Sequence, residues 1–183
     1  MTANHEPVTI WTVGHSTLPI VAFRDLLLAN GVTVIADVRR FPMSRRHPQF
    51  NRAALADALA ASGIRYEPFL ELGGRRPPRP NSVNTAWRNP SFRGFADYAD
   101  TPPFQEALSR LMDLAARAST ALMCAEALWW RCHRALIADH VSVAGLLVRH
   151  IAGRGSTVTH SLTSAARLVD GRLTYAGEPI GRL

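Results

Sequence analysis

The chain has 183 residues, of which 47% are hydrophobic, and its formal net charge is +7. This length fits one domain, and the hydrophobic fraction is that of a globular protein, which excludes a disordered or fibrous chain. No apolar run approaches the roughly 18 residues that cross a bilayer, and the N-terminus lacks a signal-peptide pattern, so the sequence predicts a cytoplasmic protein without a membrane partner.

The positive charge is carried by arginine alone. All 21 basic residues are arginine. Such a bias can follow from genomic base composition, but a charge of +7 also favours anionic partners such as phosphates or nucleic acid. The planar guanidinium group matches phosphate geometry better than an ammonium group does. The sequence therefore predicts an anionic substrate, nucleic acid among the candidates, and leaves the oligomeric state open.

The N-terminal segment predicts a β-α-β unit. Val8–Val13 is a β-rich apolar run, and a second such run covers Val32–Val38. Between them, apolar residues at helical spacing lie between Pro19 and Gly31, which is typical of a helix with its start and stop signals. A unit of this kind nearly always has parallel strands and a right-handed crossover.

Short elements and long loops follow. Arg40–Gln49 is a basic loop punctuated by proline, and Asn51 then caps a helix that Gly63 closes. Ile64–Glu67 is a candidate for a short strand. Residues 72–90 lack periodicity and are rich in proline and arginine. A loop of this length in a compact domain is usually functional or disordered, so we interpret it either as a flap or binding loop, or as a disordered segment.

The second half alternates helix and strand again. Ser91–Asp100 predicts one or two helical turns, and Pro102-Pro103 open the clearest amphipathic helix of the chain. Thr120–Cys124 is a buried strand, a helix covers Cys132–Ala144, and Leu146–Ile151 is a further buried strand.

A short helix near Thr163–Leu168 and a weak strand at Arg172–Tyr175 complete the predicted elements. Together they predict a single α/β domain over residues 1–183, with residues 1–7 as a flexible tail. Its sheet is expected to be mostly parallel, with four to six strands and helices on both faces.

Polar and reactive side chains lie at or just beyond the ends of the predicted strands. In open parallel sheets, ligands bind beyond the carboxyl ends of the strands. This rule collects residues that are far apart in the sequence: His15, Ser16, Asp37, Arg39, Cys124, Glu126 and His150.

The triplet Cys132-His133-Arg134 begins the predicted helix that follows the central strand. Both cysteines of the chain are expected to be free thiols in a reducing compartment. At a helix N-terminus beside basic side chains, the thiolate of Cys132 would be stabilised and its pKa lowered. Cys124 also fits a buried core thiol, and Glu126 fits a helix-capping carboxylate as well as a general acid/base.

Several known motifs do not fit. Six residues separate Cys124 from Arg131, one more than in the Cys-x5-Arg loop of tyrosine phosphatases. There is no Cys-x2-Cys, so we predict neither a metal nor another cofactor, although Cys124, Cys132, His133 and His15 form a conceivable metal site. The lack of a Walker motif and of GxGxxG argues against a nucleoside triphosphatase and a dinucleotide enzyme.

Six motifs follow one another along the chain: GHS (Gly14–Ser16), DVR with a following proline (Asp37–Arg39, Pro42), LGG (Leu72–Gly74), FRGFADY (Phe92–Tyr98), CAE (Cys124–Glu126) and CHR (Cys132–Arg134). In this order they resemble the bacterial family called domain of unknown function 488. The resemblance covers roughly Val8 to Leu168 and implies a small α/β domain without an established reaction. Leu128–Arg131 departs from it, because a more polar connection, often with proline, is expected before CHR.

The residues predict an enzyme of the hydrolase kind that acts on a phosphate-bearing substrate, nucleic acid or a nucleotide, in processing or repair. The predicted catalytic residues are Glu126, Cys132, His133 and Asp37. The predicted substrate-binding residues are His15, Ser16, Arg39, Cys124 and Arg134. The predicted nucleic-acid contacts are Arg45, Arg46, Arg75, Arg76 and Arg79. Two alternatives stay open: a non-catalytic nucleic-acid-binding or regulatory module, and a thiol redox or metal-binding protein.

Overall fold

One mixed sheet organises the protein in the computed structural model, which describes residues 7–152 and 155–177. The strands of this sheet are β1 (Thr9–Gly14), β2 (Val34–Asp37), β3 (Arg65–Pro68), β4 (Thr120–Cys124), β5 (Leu147–Ile151) and β6 (Thr157–Thr159). Their order is β3-β2-β4-β1-β5-β6, and every pair is parallel except β5–β6. The predicted α/β class with a mostly parallel sheet is therefore confirmed. Residues 1–6 of the predicted tail lie outside the described residues.

Helices pack on both faces of the sheet. They are α1 (Ile20–Ala29), α2 (Arg52–Ala60), α3 (Pro90–Ala99), α4 (Pro102–Ala115) and α5 (Arg134–Val143). Successive strand residues point to opposite faces, so Leu122 joins the hydrophobic cluster under α3, α4 and α5. Met123 joins the cluster under α1 and α2. None of the helices in the described part of the chain has the length and apolar character that crossing a membrane requires.

The order of the strands creates a crevice at one edge of the sheet. The chain leaves β1 for β2 and β3 on one side, returns to insert β4 between β2 and β1, and then adds β5 on the other side. Such a reversal of strand order opens a space beyond the carboxyl ends of the strands at that point. The loops after β1, β2 and β4 meet there.

Two predicted elements differ from the observed ones. The segment Thr163–Leu168 is not a helix, because it runs through a turn into β7 (Arg167–Val169), which pairs with β8 (Arg172–Thr174). Asp170 and Gly171 have φ values of 49° and 74°, the left-handed backbone of a tight hairpin turn. The helix predicted at Ser91–Asp100 is longer than two turns, with 10 residues from Pro90 to Ala99.

One helix start and one capping bond are also corrected. The helix predicted from Cys132 begins at Arg134, and Cys132 has an extended backbone with φ −128° and ψ 148°. Asn51 occupies the N-cap position of α2, but its side chain makes no capping bond to that helix. Its Oδ1 instead accepts a hydrogen bond from the backbone N–H of Ser44 at 2.6 Å, which fixes the loop between β2 and α2.

Candidate functional site

A cleft of about 540 Å³ lies beyond the carboxyl ends of β1, β2 and β4. It adjoins a smaller hollow of about 400 Å³, with which it shares Gly74, Arg75, Cys124, Ala125, Glu126 and His133. The larger space also contacts His15, Ser16 and Arg39, and the smaller one contacts Arg131 and Cys132. The strand-end rule thus places residues from three strands around one cavity.

Two thiols and one imidazole form the most unusual cluster in this cleft. The Sγ atom of Cys132 lies 3.6 Å from Nδ1 of His133, and the Sγ atom of Cys124 lies 4.0 Å from the same nitrogen. The other ring nitrogen, Nε2, lies 3.1 Å from the carbonyl oxygen of Val38. Because a carbonyl oxygen only accepts, Nε2 carries the proton, and the lone pair of Nδ1 faces both sulfur atoms.

The two thiols differ in acidity. The hydrogen bond from the Cys124 thiol lowers the pKa of Cys132 well below its ordinary value, and His133 and Arg134 add to the lowering. The same hydrogen bond, together with burial, raises the pKa of Cys124 well above its ordinary value. Cys132 is therefore the thiol that ionises first.

Glycine lets the backbone approach this cluster closely. A Cβ atom on Gly74 would lie 2.8 Å from Nδ1 of His133. A Cβ atom on Gly14 would overlap the carbonyl group of Glu126, so only glycine fits where β1 ends against the CAE turn. The glycines of the GHS and LGG motifs are thus explained by two close contacts around the cleft.

Backbone strain is concentrated at the same place. Among the described residues, the non-glycine residues with positive φ are Ser16 at 47°, Arg75 at 59° and Asp170 at 49°. Ser16 and Arg75 both line the cleft. Left-handed backbone at a non-glycine residue often accompanies a functional site, since the surrounding structure must hold it.

His15 and Arg39 reach the cleft but are held by the protein. His15 is 3% exposed, and its Nδ1 donates to the carbonyl oxygen of Ser16 at 2.9 Å. Its Nε2 accepts from Nη1 of Arg39 at 3.2 Å, and its ring stacks on Phe50. Burial, with a smaller contribution from Arg39, lowers the pKa of His15 to about 4. His15 is thus a neutral residue that positions Arg39.

Asp37 does not face the cleft, which corrects its prediction as a catalytic acid/base. Its carboxylate is fully buried and accepts bonds of 2.8 Å and 2.6 Å from the Arg39 guanidinium. The hydroxyl of Tyr66 donates to it at 2.7 Å. Since these contacts occupy both carboxylate oxygens, Asp37 braces Arg39.

Arg134 does not face the cleft either, which corrects its prediction as an anion-binding residue. It is 1% exposed, and its Nη2 donates to the carbonyl oxygens of Glu126 at 2.5 Å and Ala127 at 3.4 Å. Its Nη1 donates to Oγ1 of Thr12 at 3.4 Å. As the first residue of α5, it turns towards β1 and holds the CAE turn from behind.

Glu126 is the carboxylate that faces the cleft. Its side chain is exposed, and its Oε1 accepts from the backbone N–H of Leu128 at 3.2 Å. The other carboxylate oxygen has no protein donor among the contacts of the described residues. Glu126 is therefore placed to exchange a proton with a molecule bound beside the cysteines.

The arginines predicted to bind nucleic acid have different surroundings. Arg75 lines the cleft, and Arg45 and Arg46 are exposed beside it. Arg76 stacks 3.7 Å from the ring centre of Tyr98 and donates to the carbonyl oxygen of Gly73, so it is structural. Arg79 is exposed and lies away from both hollows.

Sequence reasoning missed Arg40 and Arg131. Both line the cleft or its adjoining hollow, and Nη1 of Arg40 donates to the carbonyl oxygen of Arg75 at 2.8 Å. Arg40 directly follows Arg39, and Arg131 directly precedes Cys132. A signal existed, since DVR is followed directly by a second arginine and CHR is preceded by one.

The basic loop, residues 73–89, is fixed on α3. Asp97 accepts from the backbone N–H of Arg79 at 2.8 Å, from Ser82 Oγ at 2.6 Å and from Asn84 Nδ2 at 2.8 Å. A Cβ atom on Gly94 would overlap the backbone of this loop. The FRGFADY motif therefore supplies a seat and an anchor for the loop, which forms one wall of the cleft.

His150, also predicted at a strand end, belongs to a buried network. Its Nδ1 lies 2.7 Å from Thr12 Oγ1, and its Nε2 lies 2.9 Å from Nδ1 of His160, which contacts Asp139 at 2.9 Å. The ring of Trp129 stacks on His150 with 4.0 Å between centroids. Through the stacking of Trp129 on His150, this network anchors the connection that precedes CHR.

A model of the family described as Domain of unknown function DUF488 matches residues 19–141. No curated protein and no solved structure matches the chain. The matched region includes β2, the basic loop, α3 and β4, as well as both cysteines and His133. Since it covers more than half of the chain, the protein belongs to the DUF488 family.

Proposed function

We propose that this protein is an enzyme that hydrolyses a phosphate-bearing substrate, a nucleotide or nucleic acid. One observation carries the proposal: a thiol–imidazole pair, Cys132 and His133 at 3.6 Å, opens into a cleft with an arginine rim. The rim consists of Arg40, Arg75 and Arg131. Guanidinium groups orient phosphate through paired hydrogen bonds, so the rim holds the substrate over the sulfur atom.

The chemistry follows from the hydrogen-bond directions. Nδ1 of His133 is free to accept the thiol proton, and the Cys132 sulfur then attacks phosphorus. The S–P bond forms as the P–O bond to the leaving group breaks, and the imidazolium gives its proton to the leaving oxygen. Water then attacks phosphorus while Glu126 takes one of its protons, the S–P bond breaks, and that proton restores the Cys132 thiol.

The residues at the mouth of the cleft favour a substrate that contains a nucleobase. Phe41 and Met43, in the loop between β2 and α2, are 60% and 81% exposed. Arg40 lies 5.4 Å from the centre of the Phe41 ring, and Arg45 and Arg46 follow. Exposed aromatic rings among basic residues are typical of surfaces on which bases stack.

Turnover of defined substrates tests this proposal. Nucleoside mono-, di- and triphosphates and short single-stranded DNA and RNA are incubated with the full chain and with Cys132→Ser, Glu126→Gln and Glu106→Gln. Glu106 is exposed on α4 and provides a matched carboxylate control. We expect at least a hundredfold loss of turnover in the first two variants and none in the control. Turnover that survives Cys132→Ser, in a folded variant, contradicts thiol catalysis.

A second candidate function is nucleic-acid binding without chemistry. It is favoured by the exposed Arg45, Arg46 and Arg79, which lie outside the cleft lining. In this case oligonucleotides bind, no substrate is turned over, and Cys132→Ser leaves the affinity unchanged. The same experiment thus separates the two candidates.

A further inference from the structure

We infer that Cys124, Cys132 and His133 form a binding site for a zinc ion with one coordination position open to the cleft. The two Sγ atoms and one ring nitrogen all lie within 4.8 Å of one another. Cys124 comes from the end of β4 and the other two residues from the turn before α5. The inference does not depend on the proposed function, because a site that binds zinc without catalysis also satisfies it.

The spacing of the ligand atoms fits a tetrahedral ion. Zinc binds cysteine sulfur at about 2.3 Å and histidine nitrogen at about 2.0–2.1 Å, which places tetrahedral ligand atoms roughly 3.5–3.8 Å apart. The two sulfur atoms lie 3.6 Å and 4.0 Å from Nδ1 of His133. Only small side-chain movements would therefore bring all three atoms to bonding distance of one ion.

The imidazole is already oriented as a ligand. The Nε2 proton is held by the carbonyl oxygen of Val38 at 3.1 Å, so Nδ1 presents a lone pair to the two thiols. A metal-binding histidine commonly donates its second N–H to such a carbonyl, which fixes the tautomer and the ring plane. Phe95 packs against the ring at 5.0 Å between centroids and restricts its rotation.

The electrostatic surroundings favour thiolates. Arg134 is buried behind the cluster and makes no ion pair with a carboxylate anywhere in residues 7–152 and 155–177. Two thiolates with one imidazole are a ligand set that selects zinc over magnesium or calcium, which prefer oxygen. The chemistry of the donors thus points to zinc.

The fourth position faces the adjoining hollow, which all three ligands line together with Glu126. Three protein ligands with a water in the fourth position are typical of catalytic zinc sites, whereas structural sites have four protein ligands. A zinc ion held by Cys124, Cys132 and His133 would supply a Lewis acid beside the cleft, and Glu126 would be the group placed to take a proton from a molecule in the open position.

Cobalt and zinc titrations test the site without any substrate. The full chain is treated with chelator and reductant, and Co²⁺ is added in equimolar steps. We expect a thiolate-to-cobalt charge-transfer band and the intense visible absorption of tetrahedral cobalt, both saturating at one ion per chain and both abolished by zinc. Cys132→Ser and His133→Ala should weaken binding at least a hundredfold. Glu126→Gln should leave the affinity within threefold, since Glu126 is not a ligand.

Thiol alkylation of the unmodified chain gives a second readout that needs no variant. Equimolar zinc should slow the labelling of both Cys124 and Cys132 by iodoacetamide at least tenfold, as resolved by mass spectrometry, whereas magnesium should not. Equal labelling with and without zinc, or no charge-transfer band, overturns the site. A hundredfold loss of affinity in Glu126→Gln overturns the open fourth position. A protein that binds zinc but turns over no phosphate compound keeps this inference and refutes the proposed function.

Discussion

Gly74, in the basic loop, packs so closely against the imidazole of His133 that there is no room for a side chain. A Cβ atom at this position would lie 2.8 Å from Nδ1 and 3.1 Å from Cγ of His133. We therefore expect Gly74→Ala to push the ring away from the thiols and to weaken cobalt binding and turnover about tenfold, equivalent to about 1.4 kcal/mol. The free energy of unfolding should fall by only about 1 kcal/mol, because the ring can shift towards the open cleft.

Gly145→Ala is the matched control for this substitution. Gly145 has a φ of 92° and no heavy atom within 4 Å of an added Cβ, so its replacement strains only the backbone. We expect a similar loss of stability with unchanged cobalt affinity. Equal effects of the two substitutions on cobalt affinity would contradict a specific contact between Gly74 and His133.

At the level of single residues, the strand-end rule predicted which backbone positions meet but not which way each side chain turns. His15, Cys124 and Glu126 line the cleft as their positions at strand ends suggest. Arg134 turns away, because α5 begins two residues later than the cysteine pattern indicates, and neighbouring helical residues point about 100° apart. Asp37 turns inward because a buried arginine, Arg39, takes its carboxylate.

At the level of elements, the basic loop on α3 depends on one carboxylate. Asp97 is 3% exposed and accepts three hydrogen bonds from residues of this loop. Asp97→Ala leaves those donors unpaired, so we expect the free energy of unfolding to fall by about 2–3 kcal/mol. Amide hydrogens of residues 78–88 should exchange at least tenfold faster than in the parent protein, as hydrogen-exchange mass spectrometry can show.

Asp113→Asn is the control for the loop experiment, because Asp113 is an exposed carboxylate on the neighbouring helix α4. It should change neither stability nor exchange in the loop. If the exchange rate of residues 78–88 does not change in Asp97→Ala, the loop is held by its contact with Gly94 and not by the carboxylate.

The elements were predicted well where the apolar periodicity is strong, and poorly where the conformation of a turn determines the secondary structure. Apolar spacing placed α1 and α4 correctly, since a buried stripe on a helix determines both its period and its ends. The helix predicted at Thr163–Leu168 is wrong because Asp170-Gly171 stabilises a hairpin, whereas the strand predicted at Arg172–Tyr175 is present as β8. The antiparallel strand β6 was missed for a similar reason, since only three residues form it.

At the level of the whole molecule, buried histidines should make the protein sensitive to acid. Burial lowers the pKa of His140 to about 4, and burial together with His160 lowers that of His150 to about 3. In the unfolded chain both would gain a proton near the ordinary value of 6.5. Between these values the unfolded state binds more protons, so the free energy of unfolding falls as the pH drops, by about 1.4 kcal/mol per pH unit for each histidine.

Denaturant unfolding of the chelator-treated protein at pH 7, 6 and 5 measures this dependence. His140→Gln should reduce the slope below pH 6 by about 1.4 kcal/mol per pH unit, because one histidine is removed from both states. A free energy of unfolding that stays constant from pH 7 to pH 5 would show that these rings accept protons in the folded protein.

The charge of +7 leads to a prediction about salt. If nucleic acid lies across Arg45, Arg46 and Arg75, the logarithm of its binding constant should fall linearly with the logarithm of salt concentration, by about 0.7 to 0.9 for each phosphate contacted. Replacing Arg45 and Arg46 with glutamine should reduce the magnitude of this slope by the amount expected for about two phosphate contacts. Arg117→Gln, an exposed arginine just after α4, serves as the control. Fluorescence anisotropy with a labelled oligonucleotide provides the measurement, and affinity that is independent of salt would exclude such contacts.

The central position of β4 also has a consequence for how the chain can fold during synthesis. Thr120 is the partner in register of both Ile10 and Val34, so the first two strands meet only through a strand that the ribosome makes much later. At roughly 5–20 residues per second, several seconds pass between the synthesis of β2 and that of β4. Until then, the edges of β1 and β2 that pair with β4 stay unpaired. No fragment that ends before residue 120 can assemble the native sheet. We therefore expect the nascent chain to depend on chaperones until β4 is released, and the reactive cleft to form only at that late stage, when the whole sheet closes together.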